Sequence, residues 1–303
     1  MFARAIEGLF GGVVPTTTPA QARLMHRLER PDCALELWQV RPGDSAWVTW
    51  TLTVQWPAGD LCCPVLLSPD GGWPHCVHEA AALTVNRENV ALAWFNRTEL
   101  AFDPPDAKRC GPVFEHWPKA EFGAISAWAW GMQRCVDVLE TMQRSDTQRL
   151  GVIGHSRGGK AALLAGANDI RIAATITHNS GVAGAVSLQH AGPGAESLAG
   201  LAARYPHWLG RRAGQPELQK TLIDMDASMV LMAALAPRGL CILQAQDDAW
   251  ANPQGARHAM QALLPRWHAL DASHRLALLE RDGGHPMTLS DWQKAARFLS
   301  ALH

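Results

Sequence analysis

Residues 152–160 read Val-Ile-Gly-His-Ser-Arg-Gly-Gly-Lys and place Ser156 between Gly154 and Gly158, where an apolar run gives way to a helix-forming one. A strand-to-helix turn this tight forces its central residue into a strained backbone conformation, and small residues two positions away on each side leave room for it. The serine hydroxyl then projects above the sheet. The spacing predicts a nucleophile elbow, whose chemistry is acyl transfer through Ser156.

This glycine pattern also fits two other interpretations. Residues 154–160 also fit the frame of a phosphate-binding loop, but that loop needs a Ser or Thr hydroxyl at position 161 to hold magnesium, and Ala161 has none. A glycine turn without chemistry stays open. The surrounding pattern favours the nucleophile, because an apolar strand at 150–154 precedes the serine and a small-residue helix at 160–167 follows it.

A serine nucleophile needs a base and an acid, which follow it in that chain order as acid and then His. Among 13 histidines, His285 comes late, after a strand and on a glycine turn, which makes it the candidate base. The acid is expected after the strand at 240–245, where Asp247 and Asp248 compete. One of them could instead cap the next helix. Asp282 is a weaker rival, three residues before the histidine.

Oxyanion stabilisation needs donors aimed at the carbonyl oxygen as it gains charge. The backbone amide after the nucleophile belongs to Arg157, whose guanidinium adds a positive charge. A second donor is expected from residues 70–72, Asp-Gly-Gly, after the strand at 63–67. The two glycines could equally form only a turn.

The elements that must position these residues alternate between strand and helix, which predicts the α/β class. Alternating residues at 35–40 and 47–56, separated by 41–45, predict an antiparallel hairpin at one sheet edge. The further strands are expected at 63–67, 90–95, 150–154, 172–177, 240–245 and 275–279, and the helices at 121–142, 160–167, 254–264 and 289–301. The wholly apolar strands are typical of a parallel sheet covered on both faces.

Two segments depart from this rhythm. Residues 1–33 are expected to form a lead-in of helix and loop, and residues 181–238, with a helical stretch at 222–235, an insertion over the carboxyl ends of the strands. There the insertion would act as a lid or specificity wall. With no internal repeat or linker, the expectation is one domain over residues 1–303.

Composition excludes several classes of function. The formal net charge is −1 and basic residues are scattered, so neither nucleic acid nor a membrane is an expected partner. Seven cysteines without metal or disulfide spacing indicate reduced thiols. Glu7 interrupts the apolar N-terminal stretch, so we expect no signal peptide and a cytoplasmic location.

The chain resembles the glucuronoyl esterases, the fifteenth family of carbohydrate esterases, especially their bacterial members. The family elbow, Gly-Cys/His-Ser-Arg-x-Gly-Lys, is matched at residues 154–160. Further similar blocks follow in the family's order over roughly residues 60–300, at 123–131, 179–184, 204–208, 235–238, 248–253 and 283–285. The combination is more specific than any one motif.

The resemblance implies an α/β-hydrolase fold, a three-layer sandwich with a mostly parallel central sheet and an inserted lid segment. It implies the following site residues: Ser156 as nucleophile, His285 as base, Arg157 as an oxyanion contributor through its side chain, and Lys160, Trp250 and Glu196 as contacts to the uronate sugar. Family members carry the acid at one of two positions. The first is Asn179 here, and an amide cannot stabilise an imidazolium, so the resemblance implies Asp248.

The expected function is hydrolysis of a carboxylic ester through an acyl-serine intermediate, without metal or organic cofactor. A methyl or aryl ester of glucuronic acid, as a small molecule or an oligosaccharide, is the expected substrate. Residues 188–190, Leu-Gln-His, stand where many family members carry arginines. We therefore keep an acetyl esterase acting on sugars as the alternative enzyme. A non-catalytic carbohydrate-binding protein is the alternative from another class. The pattern leaves the oligomeric state undetermined.

Overall fold

Short runs of apolar residues form the strands of one sheet. The computed structural model describes residues 1–16, 18–43 and 46–302. Over these ranges the strands are β1 (Gln21–Glu29), β2 (Cys33–Arg41), β3 (Trp50–Pro57), β4 (Cys63–Ser68), β5 (Ala91–Phe95), β6 (Ser145–His155), β7 (Ala174–His178), β8 (Gly239–Ala245) and β9 (Leu276–Arg281). Every residue of β4, β7 and β8 is buried, as a sheet covered on both faces requires.

The sheet has the spatial order β1-β2-β3-β5-β4-β6-β7-β8-β9. Its first four strands pair antiparallel, and the pairs from β5 to β9 are all parallel. The parallel register runs across the sheet from Ile153 through Ile176 and Cys241 to Ala277. Because parallel strands end at one edge of a sheet, the loops after β6, β7, β8 and β9 meet there, which is where such sheets bind ligands.

Helices cover both faces of the sheet. In chain order they are α1 (Phe2–Phe10), α2 (Glu79–Asn86), α3 (Pro112–His116), α4 (Ala124–Leu139), α5 (Arg157–Asn168), α6 (Leu198–Arg204), α7 (Pro216–Asp224), α8 (Ala227–Ala233), α9 (Pro253–His268) and α10 (Leu289–Ser300). Among the described residues, none of the helices combines the length and the apolar character needed to cross a membrane.

Two buried apolar clusters hold these layers together. On one face, Leu66, Ile153 and Leu243 pack with α2 and α10. On the other face, Leu67 and Val152 pack with α1, α4, α5, α8 and α9. Neighbouring strand residues point to opposite faces, so each apolar strand supplies both clusters. This three-layer arrangement around a mostly parallel sheet is the α/β-hydrolase fold, and the predicted fold class is confirmed.

The predicted hairpin is present but is not at the sheet edge. β2 and β3 pair antiparallel as expected, and part of the turn predicted between them, Asp44 and Ser45, lies outside the described residues. Helix and loop were expected over residues 1–33, but β1 pairs with β2 and becomes the outermost strand. The helical part is present as α1, but the loop prediction was wrong over residues 21–29, because all nine residues of β1 are exposed and show no buried face.

Two other boundaries differ from the sequence prediction. β6 begins at Ser145, five residues before the strand expected at 150–154, because hydrogen bonding to β4 continues beyond the apolar residues. The single helical stretch expected at 222–235 is divided between α7 and α8. Asp226 adopts a left-handed conformation (φ 43°) between them, and its carboxylate caps α8 at Met229 N.

Residues 181–238 connect β7 to β8 and contain α6, α7 and α8. The first part of this segment contacts the carboxyl edge of the sheet: Glu196 N donates to Trp250 O, and His207 contacts Asp103. α7 and α8 instead pack beside α1. A lid or specificity wall therefore stays a prediction, and the residues in position to provide it are 181–208.

The turn from β6 into α5 requires glycine at position 154. A Cβ built there would lie 2.1 Å from Gly158 O and 2.6 Å from Gly159 N, which are backbone atoms of the following helix and cannot rotate away. We therefore expect Gly154→Ala to lower the free energy of unfolding by about 3 kcal/mol or more. Chemical denaturation would measure the loss.

Gly214→Ala is the matched control, since a Cβ at Gly214 meets nothing within 4 Å. Equal stabilities of the two variants would show that the elbow has room for a side chain and would contradict the close-packed geometry.

Candidate active site

Ser156 lies at the turn between β6 and α5 with a strained backbone, at φ 54° and ψ −118°. Non-glycine residues rarely adopt this region, and such strain persists only where the surroundings hold it. The N–H of Ser156 donates to His178 O at 2.8 Å, and the N–H of the preceding His155 donates to Asp70 Oδ2 at 2.7 Å. The elbow geometry expected from the glycine spacing is therefore present, with the serine half-buried.

His285 and Asp248 form a close pair beside this elbow. Asp248 follows β8 and His285 follows β9, and Nδ1 of the imidazole lies 2.5 Å from Asp248 Oδ2. The Asp248 side chain is only 5% exposed, whereas that of His285 is 41% exposed and open to a substrate. The ring centroids of His285 and His155 lie 4.6 Å apart, which places the base next to the residue that precedes Ser156. The structure thus pairs His285 with Asp248 and places the His285 ring against that of His155, the neighbour of Ser156 in the chain.

The two neighbouring aspartates have different contacts. Asp247 Oδ2 accepts from Gly283 N at 2.8 Å, and Asp247 N donates to Gly283 O at 3.1 Å, so this residue braces the histidine loop through its backbone. Asp248 contacts the ring itself. Its second oxygen accepts from Ala251 N at 3.3 Å, so Asp248 also caps a short helical turn. The geometry favours Asp248 for the role of acid.

Arg157 is the first residue of α5, where helix geometry leaves its N–H without an intrahelical acceptor. Its guanidinium is held by Asp103, with Nη1 2.6 Å from Oδ2, and lies 4.5 Å from the Trp208 ring centroid. The side chain is one-third exposed. Both groups of Arg157 that the sequence assigned to an oxyanion are therefore at the elbow.

Asp103 was not predicted from the sequence, yet it connects several parts of the site. Its Oδ1 accepts from His207 Nε2 at 3.0 Å and from Trp208 Nε1 at 2.7 Å, while Oδ2 pairs with Arg157. Burial alone would raise the pKa of this carboxyl, but the contacts with His207, Arg157 and Trp208 outweigh it and hold the pKa well below its usual range. Asp103 is therefore ionised and fixes the Arg157 guanidinium.

The turn at residues 70–72 serves the elbow mainly through Asp70. This buried carboxylate forms an ion pair with Arg97 and accepts from His155 N. The N–H of Gly71, one of the two expected oxyanion donors, donates to Phe95 O at 3.0 Å and is already used. The structure therefore favours the turn interpretation for Gly71.

Lys160, Glu196 and Trp250 lie around the same edge. Lys160 Nζ is buried and donates to Ser180 O and, at 2.7 Å, to Val182 O, so this ammonium holds the chain after β7. Burial lowers its pKa to about 8, against the opposing effect of the Glu196 charge. Among the ion pairs of the described residues, none joins Lys160 directly to Glu196. Trp250 is 45% exposed, with the Arg204 guanidinium 4.9 Å from its ring centroid.

Glu196 has an unused acceptor. Its Oε1 is buried and accepts no hydrogen bond from the described part of the chain. Burial raises the pKa of this carboxyl, and the charges of Lys160 and Arg204 oppose the rise. A buried oxygen without a donor is costly.

Asn179 follows β7, and its side-chain amide binds the loop that carries His285. Its Nδ2 donates to His285 O at 3.0 Å, and its Oδ1 accepts from Ala245 N at 2.8 Å. An amide can donate and accept at once, whereas a carboxylate only accepts. Asn179 is therefore suited to connect β8 with the histidine loop, a role distinct from that of an acid.

The residues that sequence reasoning missed are those that act across long separations. The residues concerned lie far apart in the chain, in a loop, a short helical turn, two strand ends and the first turn of α10: Asp103, Arg97, His178, Arg281 and Asp291. For two of them the sequence carries a local signal of a role in the site: His178 and Arg281 are the last residues of β7 and β9, at the edge of the sheet where ligands bind. Across the described residues, no group of three or more His, Cys, Asp or Glu side chains is placed to hold a metal ion.

Comparison with known proteins identifies the family. The family model described as "Glucuronyl esterase, fungi" matches residues 42–271, well over half of the chain. The chain belongs to the glucuronyl esterase family. The resemblance drawn from the sequence motifs is thereby confirmed.

Curated relatives and a solved structure agree with this membership. This chain is 38% identical over 144 residues to "Carbohydrate esterase MZ0003" of an unknown prokaryotic organism, and the match covers 47% of this chain and 32% of that protein. It is 28% identical over 239 residues to the 4-O-methyl-glucuronoyl methylesterase of Hypocrea jecorina (strain QM6a), covering 76% and 49%. The chain therefore spans at most about half of these relatives.

A solved structure, "Glucuronoyl Esterase from Solibacter usitatus", shares the fold. It superposes with a TM-score of 0.82 at 22% identity, over 98% of this chain and 90% of that one. At this identity the likeness concerns the fold, including the order of elements that brings the loops after β6, β8 and β9 together.

The brace formed by Asn179 generates a prediction. In Asn179→Asp the new carboxylate keeps its bond from Ala245 N but faces His285 O at about the 3.0 Å that Nδ2 now spans, acceptor against acceptor. We expect the variant to lose about 1–3 kcal/mol of unfolding free energy. This environment raises the pKa of the new carboxyl above its unfolded value, so the loss is complete above the folded pKa and shrinks as pH falls, once the protonated group can donate.

Urea unfolding at pH 7 and pH 5 would measure both effects. Asn89→Asp is the control, at an exposed residue that shares the left-handed backbone (φ 55°, against 44° at Asn179). An Asn179→Asp protein as stable as this control at both pH values would rule out the bracing contact.

Proposed function

We propose that this protein is a serine carboxylic-ester hydrolase that acts on esters of glucuronic acid through an acyl-serine intermediate. The observation that carries the proposal is the 2.5 Å contact between His285 and Asp248 beside the strained turn at Ser156. Membership of the glucuronyl esterase family supports a sugar-acid ester as the substrate. Ester hydrolysis of this kind needs a serine, a histidine and a carboxylate, and no metal ion.

In the first step, Ser156 Oγ attacks the ester carbonyl carbon while Nε2 of His285 takes the hydroxyl proton. His285 can accept that proton because Asp248 holds its Nδ1–H and stabilises the imidazolium that forms. The short contact also fixes the tautomer, with the proton on Nδ1 and the lone pair on Nε2. The C–O double bond becomes a single bond to an oxyanion.

The oxyanion would be stabilised at the start of α5. The N–H of Arg157 is free of an intrahelical partner, and the helix terminus adds a partial positive charge. The Arg157 guanidinium is aimed by Asp103 and Trp208, so its orientation need not be acquired during the reaction. These donors form the proposed oxyanion hole.

Breakdown of the intermediate releases the alcohol, to which His285 returns the proton, and leaves the acyl group on Ser156. Water then attacks the acyl-serine with His285 again as base, and the free acid leaves as the serine recovers its proton. The exposed face of the imidazole lets both the alcohol and the water reach it.

The sugar would be recognised beside these groups. The exposed indole of Trp250 offers an apolar face for the sugar ring, and the Glu196 carboxylate, whose covered Oε1 lacks a donor, would turn outward to accept from a ring hydroxyl. Lys160 would act by holding the chain at residues 180–182 and by placing a buried positive charge near Glu196. Residues 181–208 carry Glu196 and would form the specificity wall.

The decisive experiment is hydrolysis of a methyl ester of glucuronic acid by the wild type and by Ser156→Ala. We expect the substitution to lower kcat at least about a thousandfold and to leave the unfolding midpoint nearly unchanged, because the serine is half-buried at the site edge and its loss opens no core cavity. Continuous titration of the released acid measures the rate of ester hydrolysis.

Acetylated sugars serve as the competing substrate. Faster release of acetate than of methanol would make this an acetyl esterase. A wild type that hydrolyses neither ester and takes no label from a serine-directed phosphonate would favour a non-catalytic carbohydrate-binding protein.

The two aspartates give a second kinetic test. Asp248→Asn removes the charge that stabilises the imidazolium and should lower kcat about a hundredfold or more. Asp247→Asn keeps an oxygen able to accept from Gly283 N, so we expect it to lose less than about tenfold. Steady-state kinetics on the same ester would compare them. A larger loss from Asp247→Asn would reassign the acid to that residue.

A further inference from the structure

The loop that carries His285 has three consecutive carbonyl groups held by side chains. Arg281 Nη2 donates to Gly284 O at 3.2 Å and to Pro286 O at 2.5 Å, and Asn179 Nδ2 donates to His285 O between them. The loop joins β9 to α10 without regular secondary structure of its own. Because these contacts fix the peptide planes around His285, they also fix the direction of its Cα–Cβ bond and hence of the imidazole.

Arg281 is itself held from its other side. Its Nε contacts both oxygens of Asp291, at 3.1 and 2.9 Å, and the Asp291 side chain is 2% exposed. The same carboxylate accepts from Thr288 N at 2.9 Å and from Thr288 Oγ1 at 2.8 Å, which caps α10. Since Asp291 takes Nε, the planar guanidinium directs its remaining N–H groups towards the carbonyls of the loop.

Asp291 also connects to the ring that packs against His285. His178 Nε2 lies 3.2 Å from Asp291 Oδ2, and His178 Nδ1 lies 2.8 Å from His155 Nδ1. Burial lowers the pKa of both imidazoles, so both rings are neutral. With the His178 proton on Nε2 towards the carboxylate, its Nδ1 accepts and His155 Nδ1 donates. The position of the His155 ring, 4.6 Å from that of His285, is thereby tied to Asp291.

We propose that Arg281 is a positioning residue for the base His285: held by Asp291, it orients residues 284–286 so that one imidazole can meet both Asp248 and Ser156. This rests on the proposed function, in which His285 is the base. Arg281 contacts neither the reacting atoms nor the imidazole, and it acts through the backbone of the loop. The Arg281 guanidinium has one favoured orientation, because Asp291 accepts from its Nε and the carbonyls of Gly284 and Pro286 accept from its Nη2.

Arg281→Lys tests the proposal without any substrate. Lysine keeps the positive charge beside Asp291, but a single ammonium cannot also span two carbonyls in the plane of the guanidinium. The His285 Nδ1 proton, in its 2.5 Å contact with Asp248, should give a low-field proton NMR resonance in the wild type. We expect this resonance to shift or disappear in Arg281→Lys.

Arg238→Lys is the matched control, because the Arg238 guanidinium likewise binds backbone carbonyls, those of Gly166, Asp169 and Ile172, at the opposite edge of the sheet. It should leave the His285 resonance unchanged. Asp291→Asn, which keeps the side-chain volume, is the second variant in case Arg281→Lys does not fold. A folded variant of either kind with an unchanged resonance would overturn the proposal.

Kinetics separates positioning from general stability. His285 must protonate a poor leaving group such as an alkoxide, whereas a nitrophenolate leaves unaided. On methyl and 4-nitrophenyl esters of the same acid, Arg281→Lys should lower kcat/KM about tenfold more for the methyl ester, because kcat/KM reports acylation, the step in which the two leaving groups differ. Equal losses on both esters would refute the role. If the wild type hydrolyses neither, the proposed function fails, and the resonance still decides the positioning.

Discussion

The backbone at Ser156 is held in a conformation that costs about 1–3 kcal/mol for a residue with a side chain, and the surrounding structure must offset that cost. Three contacts do so. His178 O accepts the serine N–H, Asp70 Oδ2 accepts the N–H of His155, and Gly154 lies against the first turn of α5. Because Asp70 is also paired with the buried Arg97, the elbow is anchored to two neighbouring strands of the sheet. The position of Ser156 is therefore determined by contacts with the strands of the sheet and the residues that follow them.

The proposed base, His285, is positioned in a different way. His285 lies on an irregular loop, and its place depends on side chains from the ends of β7, β8 and β9: Asn179, Asp248 and Arg281. A loop of this kind gains its rigidity from polar contacts, which are strong only if every buried member has a partner. The site thus combines a serine held by backbone geometry with a histidine held by a polar network, and the two meet where the ring of His155 lies against that of His285.

The sequence predicted what is local. The glycines around Ser156 indicate its turn because the steric requirement acts over two residues, and the apolar strands are recognisable because burial on both faces removes polar residues from the run. Chain position alone could not separate Asp247 from Asp248, since the decision lies in which carboxylate faces a ring 37 residues later, and only the resemblance to a family favoured Asp248. Asp103 lies 54 residues from Arg157, and no spacing rule relates them. The exposed β1 has no pattern that distinguishes it from a loop.

Asp103 has a consequence for how Arg157 could stabilise an oxyanion. Its carboxylate is ionised and pairs with the guanidinium, so part of the positive charge is already compensated. What remains is a set of N–H donors with a fixed direction, supported by Trp208 on the ring face. A donor oriented in advance lowers the barrier without reorganisation, and the lost charge costs little compared with that gain. The same carboxylate binds His207 and Trp208 from residues 181–208, so the proposed pocket wall and the proposed oxyanion donor share one anchor. A change in that wall would therefore reach the reaction through the orientation of Arg157.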